Sequence, residues 1–362
     1  MAVLQTYQST SGNREDLIPI ITMISPNDAP LTASLQTKKA TGMTHEWLTD
    51  ALATPAANAQ VEGSDATYGT LTPRVRVNNY IQNIRKTGQI SDNQQAVLKA
   101  GVKNEYAYQL EKATKEIALD TERAFIQGSK SLGNATTAAH AGGIMHFMQT
   151  NRTDGAAAAP TTGTAAAGTA TTITLAAAAG VANQSYIYLT GGTGQGQYRL
   201  ATGIAGAVWT VAAWDVVPDA TTTYAVYVAP AALTETLVND AFEACFNQGG
   251  SPDTVFAPTK QKRAISGFGQ SIRRLTADGA SLSNSIDIYE SDFGRHAVKT
   301  NRWMPQGTVA VLEKGQFAAA YLRPVKAEEM ARTGSSRKFM IESAVTLEAR
   351  AENSSALILG LL

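Results

Sequence analysis

Cysteine is almost missing from this 362-residue chain: Cys245 stands alone. That excludes a disulfide framework within the chain and every multi-cysteine metal site. Excess charge is missing too, since 30 Lys and Arg face 30 Asp and Glu. A protein that coats DNA without sequence preference needs Lys and Arg to neutralise phosphates, so that class is excluded. No run of about 18 apolar residues occurs, and no transmembrane helix is expected. The opening MAVLQTYQSTSGNRED has no basic region followed by an apolar core, so it is not a secretory signal. Aromatics make up only 7%, and much of the 44% hydrophobic share is alanine. That share is still ordinary for a globular chain, and the length allows two or three domains.

Chemistry-bearing motifs are scarce as well. Gly128 to Gly133 has the outline of a phosphate-binding loop, but Asn134 stands where its lysine is required. GxSxG is absent, so there is no nucleophile elbow. Gly191, Gly192, Gly194 and Gly196 do not fit GxGxxG and read as a tight hairpin turn. Four histidines (His45, His140, His146 and His296) show no HExxH spacing. Glu15-Asp16 and Glu328-Glu329 are sequence neighbours, which do not face each other on a helix. The basic residues Lys260, Lys262, Arg263, Arg273 and Arg274 are followed by Asp278, Asp287, Glu290 and Asp292, which suits a solvated face or intersubunit pairs better than nucleic acid. No catalytic residue, cofactor or metal ligand is nominated, and Cys245 reads as a buried, inert thiol.

What the chain does have is a sharp change of composition. Residues 155–232 hold three charges, Arg199, Asp215 and Asp219, whereas the other 284 positions are about 20% charged. The segment reads as short strands at 171–175, 185–190, 196–201, 208–213 and 223–228, separated by turn residues. It is expected to be a small β-domain, with 155–172 and 228–232 as linkers. Trp209, Trp214 and its tyrosines argue against a disordered loop.

Upstream, residues 1–35 read as an extended arm, because Pro19, Pro26 and Pro30 block one long helix. Residues 40–90 read as a two-stranded ribbon opened by Thr44–Leu48 and closed by the alternating Arg74–Val77. Such a ribbon is marginal alone and has to lie on something else. Residues 92–127 read as one helix of about 54 Å at ~1.5 Å per residue, capped by Asp92, weakened by Gly101 and ended by Gly128. Downstream, Leu233–Asn247 forms a second helix with Leu237, Val238, Ala241, Phe242, Cys245 and Phe246 as its apolar stripe. Thr254–Ala257 is a buried strand, and Pro258 opens a third helix at its first position. Val309–Leu312 is expected to pair with Phe317–Leu322.

Several strings resemble one known family. Asn13–Leu17, Ser25–Leu31, His45-Glu46-Trp47 with Thr49-Asp50, Ala59–Gly63 and Asn83–Ser91 are similar to the first half of tailed-bacteriophage major capsid proteins of the Hong Kong 97 type. Asn301–Pro305, Tyr321–Pro324, Arg332–Gly334 and Glu348–Asn353 are similar to the last third. The resemblance covers 13–150 and 231–362. Pro19 departs from it, standing where a helix former is expected, and 155–232 lies outside the common core.

The resemblance implies an α+β Hong Kong 97-type capsid fold: arm, extended ribbon loop, long spine helix on an antiparallel sheet, axial domain, and here an inserted all-β domain. The implied segments are 1–35 (arm), 36–90 (extended loop and flanking strands), 91–154 (peripheral domain), 155–232 (insert), 233–325 (mainly axial) and 326–362 (return strands). The implied function is self-assembly into hexamers and pentamers of an icosahedral head enclosing double-stranded DNA, in a virion assembled in the host cytoplasm. Implied partners are further copies of the chain and separate scaffold, portal and decoration proteins, with no membrane. Arg14, Asp16, Trp47, Glu62, Arg74, Arg76, Arg273 and Arg274 are expected at subunit interfaces. Some members join neighbours by an isopeptide bond from an extended-loop lysine. Between Lys39 and Lys86 this chain has no lysine, so no such bond is expected. Two other readings stay open: a cargo-storing shell of the same fold, and a carbohydrate-binding or adhesion module presenting exposed tyrosines and Trp209 on the β-insert.

Overall fold

The computed structural model describes residues 28–66, 68–97, 104–176, 185–268 and 287–362. Arg14, Asp16, Gly101, Arg273 and Arg274 lie outside the described residues. Two compact units emerge. The smaller holds Arg85–Ile117 and Ala327–Ile341; the larger holds Asp28–Ile84, Ala118–Lys326 and Glu342–Leu362.

The long helix is shorter than its periodicity suggests. A first turn, Asp92–Ala96, is capped by Ser91, whose hydroxyl accepts from the Gln94 N–H at 3.2 Å. Ser91 therefore takes the capping role expected of Asp92, which becomes the first helical residue. The turn ends at Val97, whose backbone is extended. The main helix then runs Glu105–Gln127, 23 residues and roughly 35 Å at ~1.5 Å each. Asn104 restarts it by accepting from the Ala107 N–H. Gly128 follows because any side chain there collides with the carbonyls of Ala124 and Ala141. In the smaller unit Tyr106 meets Phe339 edge-on at 5.6 Å. The tip of the Phe339 ring also reaches Gly88, where a Cβ would be 2.3 Å from its Cζ.

Four strands pair in the order Gln36–Lys39, Phe317–Met330, Ser336–Ala349, Gln82–Ser91. A second sheet has six strands in the order Ile288–Ser291, Gly294–Thr300, Thr254–Ala257, Val309–Leu312, Ala356–Leu359, Arg152–Asp154. Val309–Leu312 and Phe317–Met330 thus belong to different sheets and do not pair. The 3-10 turn Lys314–Gln316 redirects the chain, and Val309–Leu312 pairs with Thr254–Phe256 and Ala356–Ile358 instead.

Helix Glu235–Asn247 packs on the second sheet through Val238, Ala241, Phe242 and Cys245. Phe246, expected in that stripe, is 60% exposed and touches Phe293 at the surface. The third helix starts at Thr259, with the Pro258 carbonyl accepting its first bond, one residue later than the proline rule predicts.

Residues 161–227 form a closed barrel of six strands. Its order is Val208–Val211, Thr172–Leu175, Thr161–Gly168, Thr223–Tyr227, Tyr186–Gly191, Tyr198–Ala205, and the last pairs back to the first. The interior is filled by Ile173, Leu175, Ile187, Leu189, Trp209, Val211, Trp214, Tyr224 and Val226. Fully burying a side chain such as Ile187 contributes about 1.5–3 kcal/mol. Two expectations fail here. The supposed linker 155–172 carries the strand Thr161–Gly168, whose Thr, Ala and Gly residues hide a strand signal because none is large. The supposed linker 228–232 is bridged at Pro230 to Ala156 and at Ala231 to Leu361.

Residues 28–35 are not an extended arm either. Pro30–Ser34 is a short helix with Leu31 fully buried.

Candidate assembly surface

The ribbon pairs Thr44–Thr49 antiparallel to Val75–Tyr80, with Glu46 opposite Asn78 and Trp47 opposite Val77. Its root is pinned by two successive residues of one strand. The Leu347 carbonyl accepts from Asn79 Nδ2 at 2.7 Å, and Asn79 is fully buried. Glu348, 4% exposed, accepts from His45 Nε2 at 2.9 Å, Lys38 Nζ at 3.0 Å and Arg350 Nε at 2.7 Å. Burial alone raises the pKa of this carboxyl, but the hydrogen bonds from His45, Arg350 and Lys38 outweigh it and hold it near about 2.

Beyond its root much of the ribbon's apolar surface is uncovered by the described residues. Leu48 and Val75 are exposed, and in the irregular stretch between them Leu52, Val61, Tyr68 and Leu71 are 79–99% exposed. Glu62 sits exposed in this stretch. Arg74 and Arg76 pair across the ribbon with Asp50 and Glu46 at 3.5 and 3.4 Å. Both pairs are solvent-facing and contribute little. Trp47 is half-buried against Phe147, ring centres 5.8 Å apart. A cleft of about 480 Å³ is lined by Leu52, Val75, Val77, Phe147 and Arg350.

Residues 28–32 are held by Glu122, which is fully buried on the long helix. Its carboxylate accepts from four donors: the N–H groups of Leu31 and Thr32, the Thr32 hydroxyl, and Asn301 Nδ2, at 2.6–2.9 Å. Neither Glu122 nor Glu348 stands out in the sequence. Glu348 alternates with Val345, Leu347 and Ala349 as a solvent-facing residue would, yet Thr346 and Glu348 are buried too.

The barrel presents no aromatic surface. Trp209, Tyr188, Tyr224 and Tyr227 are at most 3% exposed, and Tyr186 is 9%. This overturns the expectation of exposed tyrosines and Trp209, and with it the basis of the carbohydrate-binding reading. Tyr188 and Tyr227 instead donate to the Met145 carbonyl and the Asp154 carboxylate, fastening the barrel to its neighbours in the larger unit. Cys245 is buried, and burial pushes its thiol up to about 12, so it is inert. Among the described residues no group of three His, Cys, Asp or Glu is placed to hold a metal, and no helix is long and apolar enough to cross a membrane.

A ribbon whose apolar residues Leu52, Val61, Tyr68 and Leu71 stand exposed has the character of an element built for assembly. The comparisons name the assembly. Residues 4–362 match the SU10 major capsid protein family, and the chain belongs to it. It is a phage major capsid protein, and it forms the capsid shell. The major capsid protein of Escherichia phage Phieco32 is 28% identical over 359 residues, covering 96% of this chain and 94% of that one. The fold is similar to the cyanophage A-1(L) capsid (TM-score 0.60, 10% identity, 99% of each chain). It is also similar to Microbacterium phage Oxtober96 (TM-score 0.56, 10% identity, 99% of each chain). The expectation of an α+β phage-capsid fold is borne out at that level.

Proposed function

We propose that the chain assembles as hexamers and pentamers of a closed head around double-stranded DNA, with the ribbon of each subunit lying across its neighbour. The observation that carries this is the exposure of Leu52, Val61, Tyr68 and Leu71. Apolar side chains so placed gain burial only from a second molecule. Head-to-tail contacts of this kind close into rings. Arms and loops exchanged between subunits bury interfaces of the permanent class, about 2,000 Å² or more.

In this reading 1–35 is the arm, ending in the packed helix Pro30–Ser34, and 36–90 is the extended loop with its flanking strands. Residues 91–154 with 326–362 form the peripheral domain, and 233–325 gives mainly the axial domain at ring centres. Residues 155–232 are an insertion pointing outward. Trp47, Glu62, Arg74 and Arg76 lie at subunit contacts, as do Arg14, Asp16, Arg273 and Arg274. DNA is enclosed without sequence-specific contacts, which suits a chain of zero net charge. Subunits are not joined by an isopeptide bond from the loop, because no lysine lies between Lys39 and Lys86.

The test is expression of the chain, alone and with its neighbouring genes, followed by negative-stain electron microscopy and denaturing gels. Uniform closed particles that dissociate to single chains on the gel are expected. Soluble monomers under both conditions would overturn the reading.

A further inference from the structure

The barrel segment is almost devoid of charge, yet it commits two of its three charges to one place. Arg199 is 7% exposed and Asp215 is partly buried. Arg199 Nη2 donates to Asp215 Oδ2 at 3.1 Å, and Arg199 lies over the Trp214 ring. Asp215 also accepts from Arg123 of the long helix, whose Nη2 is 2.8 and 3.0 Å from its two oxygens. The barrel thus carries a buried cation at its contact with the helix. Burial lowers the Arg199 pKa and Asp215 opposes that. A buried charge is costly unless fully paired, so the arrangement tolerates few alternative geometries.

The network does not stop at the helix. Arg199 Nη1 donates to Gln127 Oε1 at 3.2 Å. The same amide donates through Nε2 to the Trp303 carbonyl at 2.6 Å. Gln127 thus uses both ends of its amide, which neither Glu nor Leu can do. Trp303 in turn donates its indole N–H to the Asp28 carbonyl at 2.9 Å and its backbone N–H to Asn301 Oδ1 at 2.9 Å. Asn301 Nδ2 completes the path at Glu122, which holds Leu31 and Thr32. Every member belongs to the larger unit.

We propose that Arg199 is a positioning residue for the root of the N-terminal segment: through Gln127 and Trp303 it couples the seating of the barrel to the seating of residues 28–32. The barrel is then more than an ornament on the shell, because shifting it shifts residues 28–32 at the root of the N-terminal segment. The meaning for assembly rests on reading residues 1–35 as an arm, but the coupling itself does not.

The test is hydrogen exchange by mass spectrometry on the unassembled full chain, comparing wild type with Arg199→Lys, Gln127→Ala and Tyr227→Phe. Arg199→Lys keeps the charge and removes the fork that reaches Gln127 and Asp215 together. Tyr227→Phe breaks the barrel's separate bond to Asp154 and controls for general loosening. Arg199→Lys and Gln127→Ala are expected to speed exchange at 30–35 and 302–304 by about tenfold or more, the scale of losing one hydrogen bond to a charged group. Tyr227→Phe should leave those segments unchanged. In the Gln127→Ala background, Arg199→Lys should add nothing further there. Unchanged exchange at 30–35 in both variants would overturn the coupling, and so would equal acceleration by Tyr227→Phe. Both outcomes are independent of whether particles form, so this inference and the shell reading fail separately.

Discussion

The Glu348 carboxylate offers a quantitative test of what fixes the ribbon. Its usual pKa of 4.5 is held down to about 2 by His45, Arg350 and Lys38 in spite of burial. A carboxyl depressed in the folded state stabilises the fold above its unfolded pKa. That contribution is lost as pH falls through the folded value. The window is therefore pH 4.5 down to about 2, and the depression corresponds to about 3 kcal/mol at neutral pH. Glu348→Gln removes the charge while keeping the shape. Urea unfolding of the unassembled subunit should place the variant about 3 kcal/mol below wild type at pH 6, with the gap closing towards pH 2 as wild-type Glu348 itself becomes neutral. Hydrogen exchange at Thr44–Thr49 should rise in the variant at pH 6. A gap that stays constant between pH 6 and pH 2.5 would refute the reasoning. It would mean that the variant loses packing or a fixed hydrogen bond and no ion-pair energy.

Other consequences are open to measurement. Burial lowers the His146 pKa to about 4, so this ring is neutral in the fold and charged in the acid-unfolded chain. Its contribution, about 3 kcal/mol, is fully present above pH 6.5 and lost as pH falls to about 4. His146→Gln should flatten that part of the stability curve, and an NMR titration of the ring should find its midpoint near 4. Gly196 has φ +90°, and a Cβ there would lie 2.6–2.7 Å from the His146 backbone. Gly196→Ala should cost about 1–3 kcal/mol, read as a lower melting temperature. Leu52→Ser, Tyr68→Ser and Leu71→Ser should leave subunit stability within about 0.5 kcal/mol, because these side chains are 91–99% exposed, while particle yield by electron microscopy falls.

The parts legible in the sequence are those whose local pattern and burial agree. Arg74-Val75-Arg76-Val77 alternates, and the ribbon's return strand is there from Val75. Val255–Ala257 is continuously apolar, and the strand Thr254–Ala257 is buried on both faces. Thr161–Gly168 escaped because small Thr, Ala and Gly residues pack between two other strands without a hydrophobic pattern. The break at Val97 escaped because the apolar spacing continues through it. At the assembly surface Trp47 and the bare loop could be anticipated. Glu122 and Glu348 could not, since a buried carboxylate is recognisable only once the donors that surround it are brought together. Arg199 was visible as one of three charges in 155–232, but nothing in the sequence pointed to its burial.

Closure of the barrel carries a consequence for a molecule displayed in many copies. An open sheet presents unpaired N–H and C=O groups along its edges, and crowding such edges on a shared surface invites pairing between neighbouring molecules. In the barrel, Tyr198–Ala205 returns to Val208–Val211, so every strand has a partner on both sides. Its nearly uncharged exterior offers little repulsion against a neighbour. Saturation of the backbone supplies the protection that charge would otherwise give, and neighbouring copies can approach one another without a strand to trade.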